Sequence, residues 1–239
     1  MEDCTCISLE QRGHGRSGRA APETYTSQAL VDDCIAFLEA VTGPAFLVGS
    51  SLGGLIGFGV ASSRPDLVKA LYSEDAVPAL GTDNGDNVLP LLEWLGALGE
   101  LARVRERDQL TLAQHVYNIG QVRFAGNKPV DFWPPGQLFF FGRHAYHTDP
   151  TWYDVAKNRE GEWSAEEAAE ISGNVRCPVH VAYGNPVLGG LVSPEDLRIL
   201  EEAGVTLTST QFPGAGHVIS PNFPREFLKD LKAFLAKVG

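Results

Sequence analysis

At 239 residues, with 44% apolar and 21% charged side chains, the chain is long enough for one sizeable hydrophobic core and has an ordinary globular composition. Nineteen lysines and arginines against 30 aspartates and glutamates leave a net charge of −11, which repels phosphate backbones and anionic membranes, so neither is an expected partner. No run of 18 apolar residues occurs, and Met1-Glu2-Asp3-Cys4 has neither the basic start nor the apolar stretch of a signal peptide. The four cysteines, Cys4, Cys6, Cys34 and Cys177, match no zinc spacing and read as free thiols in a reducing, cytoplasmic compartment; no metal is expected.

In chain order, residues 5–9 predict a short strand. Arg12-Gly13-His14-Gly15-Arg16-Ser17-Gly18 predicts a sharp turn, its glycines supplying the positive φ angles. A helix is expected over 27–41, with Leu30, Cys34 and Leu38 on one face and Thr26 or Ser27 as its cap. Residues 45–49 form a continuous apolar run, the signature of a strand buried on both faces of a parallel sheet. It leads into Ser50-Ser51-Leu52-Gly53-Gly54 and a helix that ends before Pro65. Residues 68–73 predict another strand, closing on Glu74-Asp75. Residues 79–173 change texture: helical patterns, and loops carrying Trp, Phe and Pro, predict a helical insert. Its aromatics either line a pocket or form its own core. Strands at 177–183 and 205–212 then flank a helix opened by Ser193-Pro194, and a final helix carries Phe223, Phe227, Leu231 and Phe234 or Leu235 on one face. The alternation predicts an α/β fold, mostly parallel, divided as core 1–78, cap or lid 79–173 and core 174–239.

Two motifs carry chemistry. Gly49-Ser50-Ser51-Leu52-Gly53 fits G-x-S-x-G between a predicted strand and a predicted helix, the context that lifts a serine hydroxyl off a sheet top. The Leu52 N–H then faces a developing oxyanion. A serine needs a base, and His217, in a glycine-flanked turn after a predicted strand, is the candidate. His14 and His180 suit turn bonds and packing instead.

With these residues in place the chain resembles the α/β-hydrolase superfamily: residues 12–17 resemble its early turn, 49–53 its nucleophile elbow and 214–217 its histidine loop, in order along the whole chain. The resemblance implies a serine-nucleophile enzyme with a helical cap and no cofactor. It would act on an ester, lactone, thioester or related carbonyl bond of a small to medium apolar molecule. A serine at this position argues against the dehalogenase and epoxide-hydrolase branches, which use aspartate. Two departures stand out. The loop 184–190, where the family usually carries its acid, has no carboxylate. Some relatives place the acid at the end of the strand after the nucleophile helix, which here holds Glu74-Asp75, with Asp75 the better match and Glu74 the alternative. The family also begins with strands, and an oxyanion loop after the third, that this reading does not find. An empty interior slot in a sheet would leave buried backbone groups unpaired at about 1–3 kcal/mol each, so either the strand at 5–9 slides into the slot, or a partner fills it, or the sequence is an incomplete version of a longer chain, the reading favoured of the three. The competing reading is a non-catalytic or truncated ligand-binding protein of the same fold. Oligomeric state is not legible.

Overall fold

The computed structural model describes residues 4–78, 85–123 and 128–239. The chain groups into two units: Met1–Ile7, Leu30–Asn87 and Trp163–Gly239 in one, Ser8–Ala29 and Val88–Glu162 in the other. The expected start of the insert, residue 79, lies outside the described residues.

In chain order the main elements are α1 (Ser27–Phe37), β1 (Ala45–Ser50), α2 (Leu52–Ser63), β2 (Val68–Glu74), α3 (Gly85–Asp108), α4 (Leu112–Gln121), α5 (Pro129–Phe132), α6 (Pro135–Tyr146), α7 (Pro150–Asn158), α8 (Ala165–Asn174), β3 (Val179–Tyr183), α9 (Pro194–Glu202), β4 (Leu207–Gln211) and α10 (Pro224–Val238). In the first unit the described strands form one parallel sheet in the order β1-β2-β3-β4. Parallel neighbours need long crossovers, and α2 and α9 supply two of them.

The central strands β2 and β3 are buried on both faces, and the period-2 alternation of each strand assigns its residues. The expectation that residues 45–49 are buried on both faces is not met: among the described strands β1 is an end strand with a neighbour on one side, none of its residues is buried, and Val48 is 52% exposed. Leu71, Val179 and Val181 join Leu30, Val31 and Leu38 of α1 and its continuation, Ile56, Phe58 and Val60 of α2, and Leu197 and Leu200 of α9 in one core. Ala70, Tyr72 and Ala182 pack on the other face with Phe227, Leu231 and Phe234, the predicted face of α10. His180 lies on that face, stacked on Tyr72 at 5.0 Å with Nε2 2.8 Å from Asp230. Burial lowers its pKa. It is a packing histidine, as its mid-strand position suggested. Ser193 caps α9 through a reciprocal bond pair with Asp196, with Pro194 opening the helix.

One predicted strand is absent. Residues 4–11 form no strand, and Thr5, Cys6 and Ile7 are exposed. Alternation and β-branched residues favour a strand only where a neighbouring edge accepts the backbone bonds. Among the described residues no pairing involves this segment.

In the second unit the insert's aromatics pack mainly on each other. Trp94 stacks on Phe141 at 4.9 Å, and Trp133 meets both rings. Phe139 and Phe140 stay exposed. The predicted glycine turn forms, with Gly13 and Gly15 at φ 74° and 58°, and Gly13 O accepts the Asp149 N–H at 2.7 Å. The buried Tyr25 hydroxyl donates to Asp149 at 2.7 Å and accepts the Ala20 N–H at 3.0 Å, so residues 13–25 are tied to the start of α7. Thr26 Oγ1 accepts the Ala29 N–H at 3.1 Å and caps α1.

Candidate active site

A single residue, Ser51, joins β1 to α2. Its φ of 51° and ψ of −117° lie where a side chain is strained, at about 1–3 kcal/mol. The surroundings over-determine it. Its N–H donates to Glu74 O at 2.9 Å, and its carbonyl accepts from Gly54 N at 2.9 Å and Leu55 N at 3.1 Å. Strand register brings Ser50 level with Glu74, and Glu74 level with Ala182, so the ends of three strands meet at one edge.

The glycines around Ser51 divide differently from the motif. A Cβ on Gly49 would lie 2.2 Å from the Gly53 carbonyl, so that glycine is obligatory. A Cβ on Gly53 meets nothing within 4 Å. The second crowded position is Gly54, where a Cβ would lie 2.3 Å from Ser73 Oγ. Leu52 is the first residue of α2, so its N–H has no acceptor within the helix, and it sits at the positive end of the helix dipole.

His217 follows the turn after β4. Gly216 is required there, because a Cβ would lie 2.2 Å from Leu188 O; Gly184 is required opposite, 2.1 Å from Gly216 O. These approaches seat the histidine loop against the loop after β3. The His217 ring bridges two elements: Nε2 is 2.9 Å from Ser51 Oγ, and Nδ1 is 2.9 Å from Asp75 Oδ2.

Asp75, wholly buried, sits just beyond β2 at φ 49° with its N–H on Ala182 O at 2.7 Å. Oδ1 accepts Gly184 N at 3.0 Å and Val192 N at 3.3 Å; Oδ2 accepts Leu191 N at 2.8 Å besides the imidazole. The loop without a carboxylate of its own thus folds around the carboxylate of the neighbouring strand. A carboxylate on Nδ1 selects the Nδ1–H tautomer, which leaves Nε2 free to accept a hydroxyl proton. Glu74, the alternative acid, does not reach the imidazole; its Oε1 accepts Ile219 N at 2.9 Å and Ser220 N at 2.7 Å. Sequence reasoning missed that use of Glu74. The only signal was a second acidic residue beside Asp75 at a predicted strand end.

Among the described residues no group of three or more His, Cys, Asp or Glu could hold a metal, and no helix is long and apolar enough to cross a membrane.

A family model described as "Alpha/beta hydrolase family" matches residues 2–230. The chain is 37% identical over 81 residues to the 2-(acetamidomethylene)succinate hydrolase of Mesorhizobium japonicum, a stretch covering 33% of this chain and 28% of that protein. It is 44% identical over 69 residues to Lipase LipV of Mycobacterium tuberculosis, covering 28% of this chain and 26% of the lipase. The matched stretches thus span under a third of these curated relatives. Among solved structures, one described with the carboxylesterases of Nitrososphaera gargenis superposes with a TM-score of 0.68 at 22% identity, covering 96% of this chain and 78% of that one. The crystal structure of E-2-(acetamidomethylene)succinate hydrolase superposes at 0.65 and 24% identity, covering 95% of this chain and 79% of that one. The expectation that the family's first strands are missing finds no support in these comparisons.

Proposed function

Because the chain belongs to the alpha/beta hydrolase family, we propose that it is a serine hydrolase that cleaves an acyl bond through a covalent acyl-enzyme. The observation that carries this reading is the continuous chain Ser51 Oγ–His217 Nε2 and His217 Nδ1–Asp75 Oδ2, each link 2.9 Å. Ser51 Oγ attacks the substrate carbonyl carbon while its proton passes to His217 Nε2. The tetrahedral oxyanion lies toward the Leu52 N–H at the start of α2. Collapse breaks the acyl bond, and the leaving group takes the proton from Nε2. Water, deprotonated by the same nitrogen, then attacks the acyl carbon and releases the acid and Ser51. Asp75 keeps the imidazole in the required tautomer and stabilises its charged form.

The curated relatives include a 2-(acetamidomethylene)succinate hydrolase, a protein named "Putative carbamate hydrolase RutD" and a lipase, which supports acyl chemistry and leaves ester, lactone, thioester and amide-type bonds within the reading. The substrate is a small molecule, and no cofactor enters any step. Incubation with a fluorophosphonate probe tests it. One phosphonyl group should attach at Ser51, p-nitrophenyl acetate should be hydrolysed, and both should be lost in Ser51→Ala and His217→Ala. A folded wild-type chain that takes no label and turns over no acyl ester overturns the proposal and leaves the ligand-binding alternative.

A further inference from the structure

β2 ends in two buried carboxylates, and the mechanism above uses only Asp75. Glu74 is 2% exposed. An ionised carboxylate in such a place needs compensating donors, and Glu74 finds them on the histidine loop: Oε1 accepts the consecutive N–H groups of Ile219 and Ser220 at 2.9 and 2.7 Å. The backbone carbonyl of the same residue accepts the Ser51 N–H at 2.9 Å. One residue therefore grips the peptide that carries the hydroxyl and the peptide two and three positions beyond the imidazole. Ile219 is itself fully buried, packed with Tyr72, Ala182 and Phe227.

We propose that Glu74 is a positioning residue that sets the separation of Ser51 and His217. It touches neither reacting group. It acts through the backbone, by fixing residues 219–220 relative to residue 51, and this inference rests on the Ser51–His217 reading. Two N–H groups converging on one oxygen define the loop's position more sharply than apolar packing does, because hydrogen bonds weaken steeply with distance and angle. The effect on rate follows from the demand for near-attack geometry, where a misplacement of about 1 Å costs as much as 100-fold.

The test uses Glu74→Met, similar in length but without the acceptor, and Glu74→Gln, which retains an acceptor oxygen. Active sites are titrated with a fluorophosphonate, and kcat per titrated site, KM and the inactivation rate are compared. Glu74→Met should lower kcat and the inactivation rate by about 10- to 100-fold with KM little changed. Glu74→Gln should restore most of the loss. A purely structural role would lower the number of titratable sites and the Tm while leaving kcat per site intact. A folded Met variant with kcat per site within twofold of wild type overturns the proposal, as does a Gln variant as slow as Met. Should Met not fold, Glu74→Asp withdraws the acceptor by about 1.5 Å, one carbon–carbon bond. It should then show the same kcat loss at unchanged KM, and an unchanged kcat overturns the idea. A wild-type protein that takes no label fails earlier, on the nucleophile itself.

Discussion

Replacing Asp75 by Asn separates its two tasks. The wild-type carboxylate receives four donors: Gly184 N and Val192 N on Oδ1, Leu191 N and His217 Nδ1 on Oδ2. An amide has one accepting oxygen, and its nitrogen only donates. If the nitrogen takes the Oδ1 position, two buried N–H groups lose their acceptor, costing about 2–6 kcal/mol. If it takes the Oδ2 position, only the Leu191 N–H is stranded, at about 1–3 kcal/mol, because the imidazole can change tautomer and accept at Nδ1. The second arrangement is favoured, and it places the proton on Nε2, where it points at Ser51 and cannot receive the hydroxyl proton. The expected kcat loss is about 10⁴-fold with KM little altered. At about 2–4 °C per kcal/mol for a chain of this size, the Tm falls by roughly 2–12 °C. Steady-state hydrolysis of p-nitrophenyl acetate, normalised to folded protein, and calorimetry read the two effects. A folded Asn variant within tenfold of wild-type kcat refutes the tautomer argument; an unchanged Tm refutes the count of stranded donors.

Other substitutions probe the frame. Gly54→Ala drives a methyl to 2.3 Å from Ser73 Oγ and should cost about 1–3 kcal/mol by overpacking, whereas Gly53→Ala enters open space and should leave thermal unfolding unchanged or slightly improved. Tyr25→Phe removes the donor to Asp149 and the acceptor of the Ala20 N–H, a loss of about 1–3 kcal/mol in urea unfolding. His115, buried against Tyr146, has its pKa pushed down to about 4 by burial, with Arg105 adding repulsion. Its folded pKa is depressed, so the unfolded chain binds the extra proton between about 6.5 and 4. Stability should therefore be intact above that window and decline as pH falls through it, by at most about 3 kcal/mol. His115→Leu should flatten that decline, and an unchanged pH profile of Tm removes His115 as its source.

Much of this arrangement was legible in the sequence because its determinants are local. The apolar run before Ser51, the glycine two residues ahead of it and the helical pattern after it describe a strand, a turn and a helix within about twenty residues. The glycine-flanked His217 is likewise a local signature. What escaped depends on distant partners. Glu74 meets backbone N–H groups some 145 positions away, and backbone groups leave no trace in residue identity. The difference between Gly53 and Gly54 is set by Ser73 on the next strand, again invisible locally. The strand expected at residues 5–9 failed for the converse reason: its composition suits a strand, but the structure of such a segment is decided by the edge it meets. The grouping of Ser8–Ala29 with the helical unit rests on long-range bonds such as Tyr25 to Asp149.

The carboxylate-free loop and the acid at the end of β2 are one solution rather than two irregularities. A histidine-orienting acid must be buried, must be held, and must come within hydrogen-bond reach of Nδ1; nothing requires that it be covalently part of the loop beside it. Asp75 satisfies this from the adjacent strand because its left-handed φ turns the chain just after the last sheet bond, its N–H still tied to Ala182 O. The loop closes over it with Gly184, Leu191 and Val192 N–H groups. The buried carboxylate is held in one orientation, since each of the surrounding donors engages one of its lone pairs. A second carboxylate introduced in the loop, for instance at Val187, which is 90% exposed, would therefore find its role taken. Asp75→Asn combined with Val187→Asp should stay as inactive as Asp75→Asn alone, because the new acid would lie in solvent while the Leu191 N–H still lacked its acceptor. Recovery of activity in the double variant would mean that proximity of charge, rather than the closed set of donors around position 75, is what the imidazole requires.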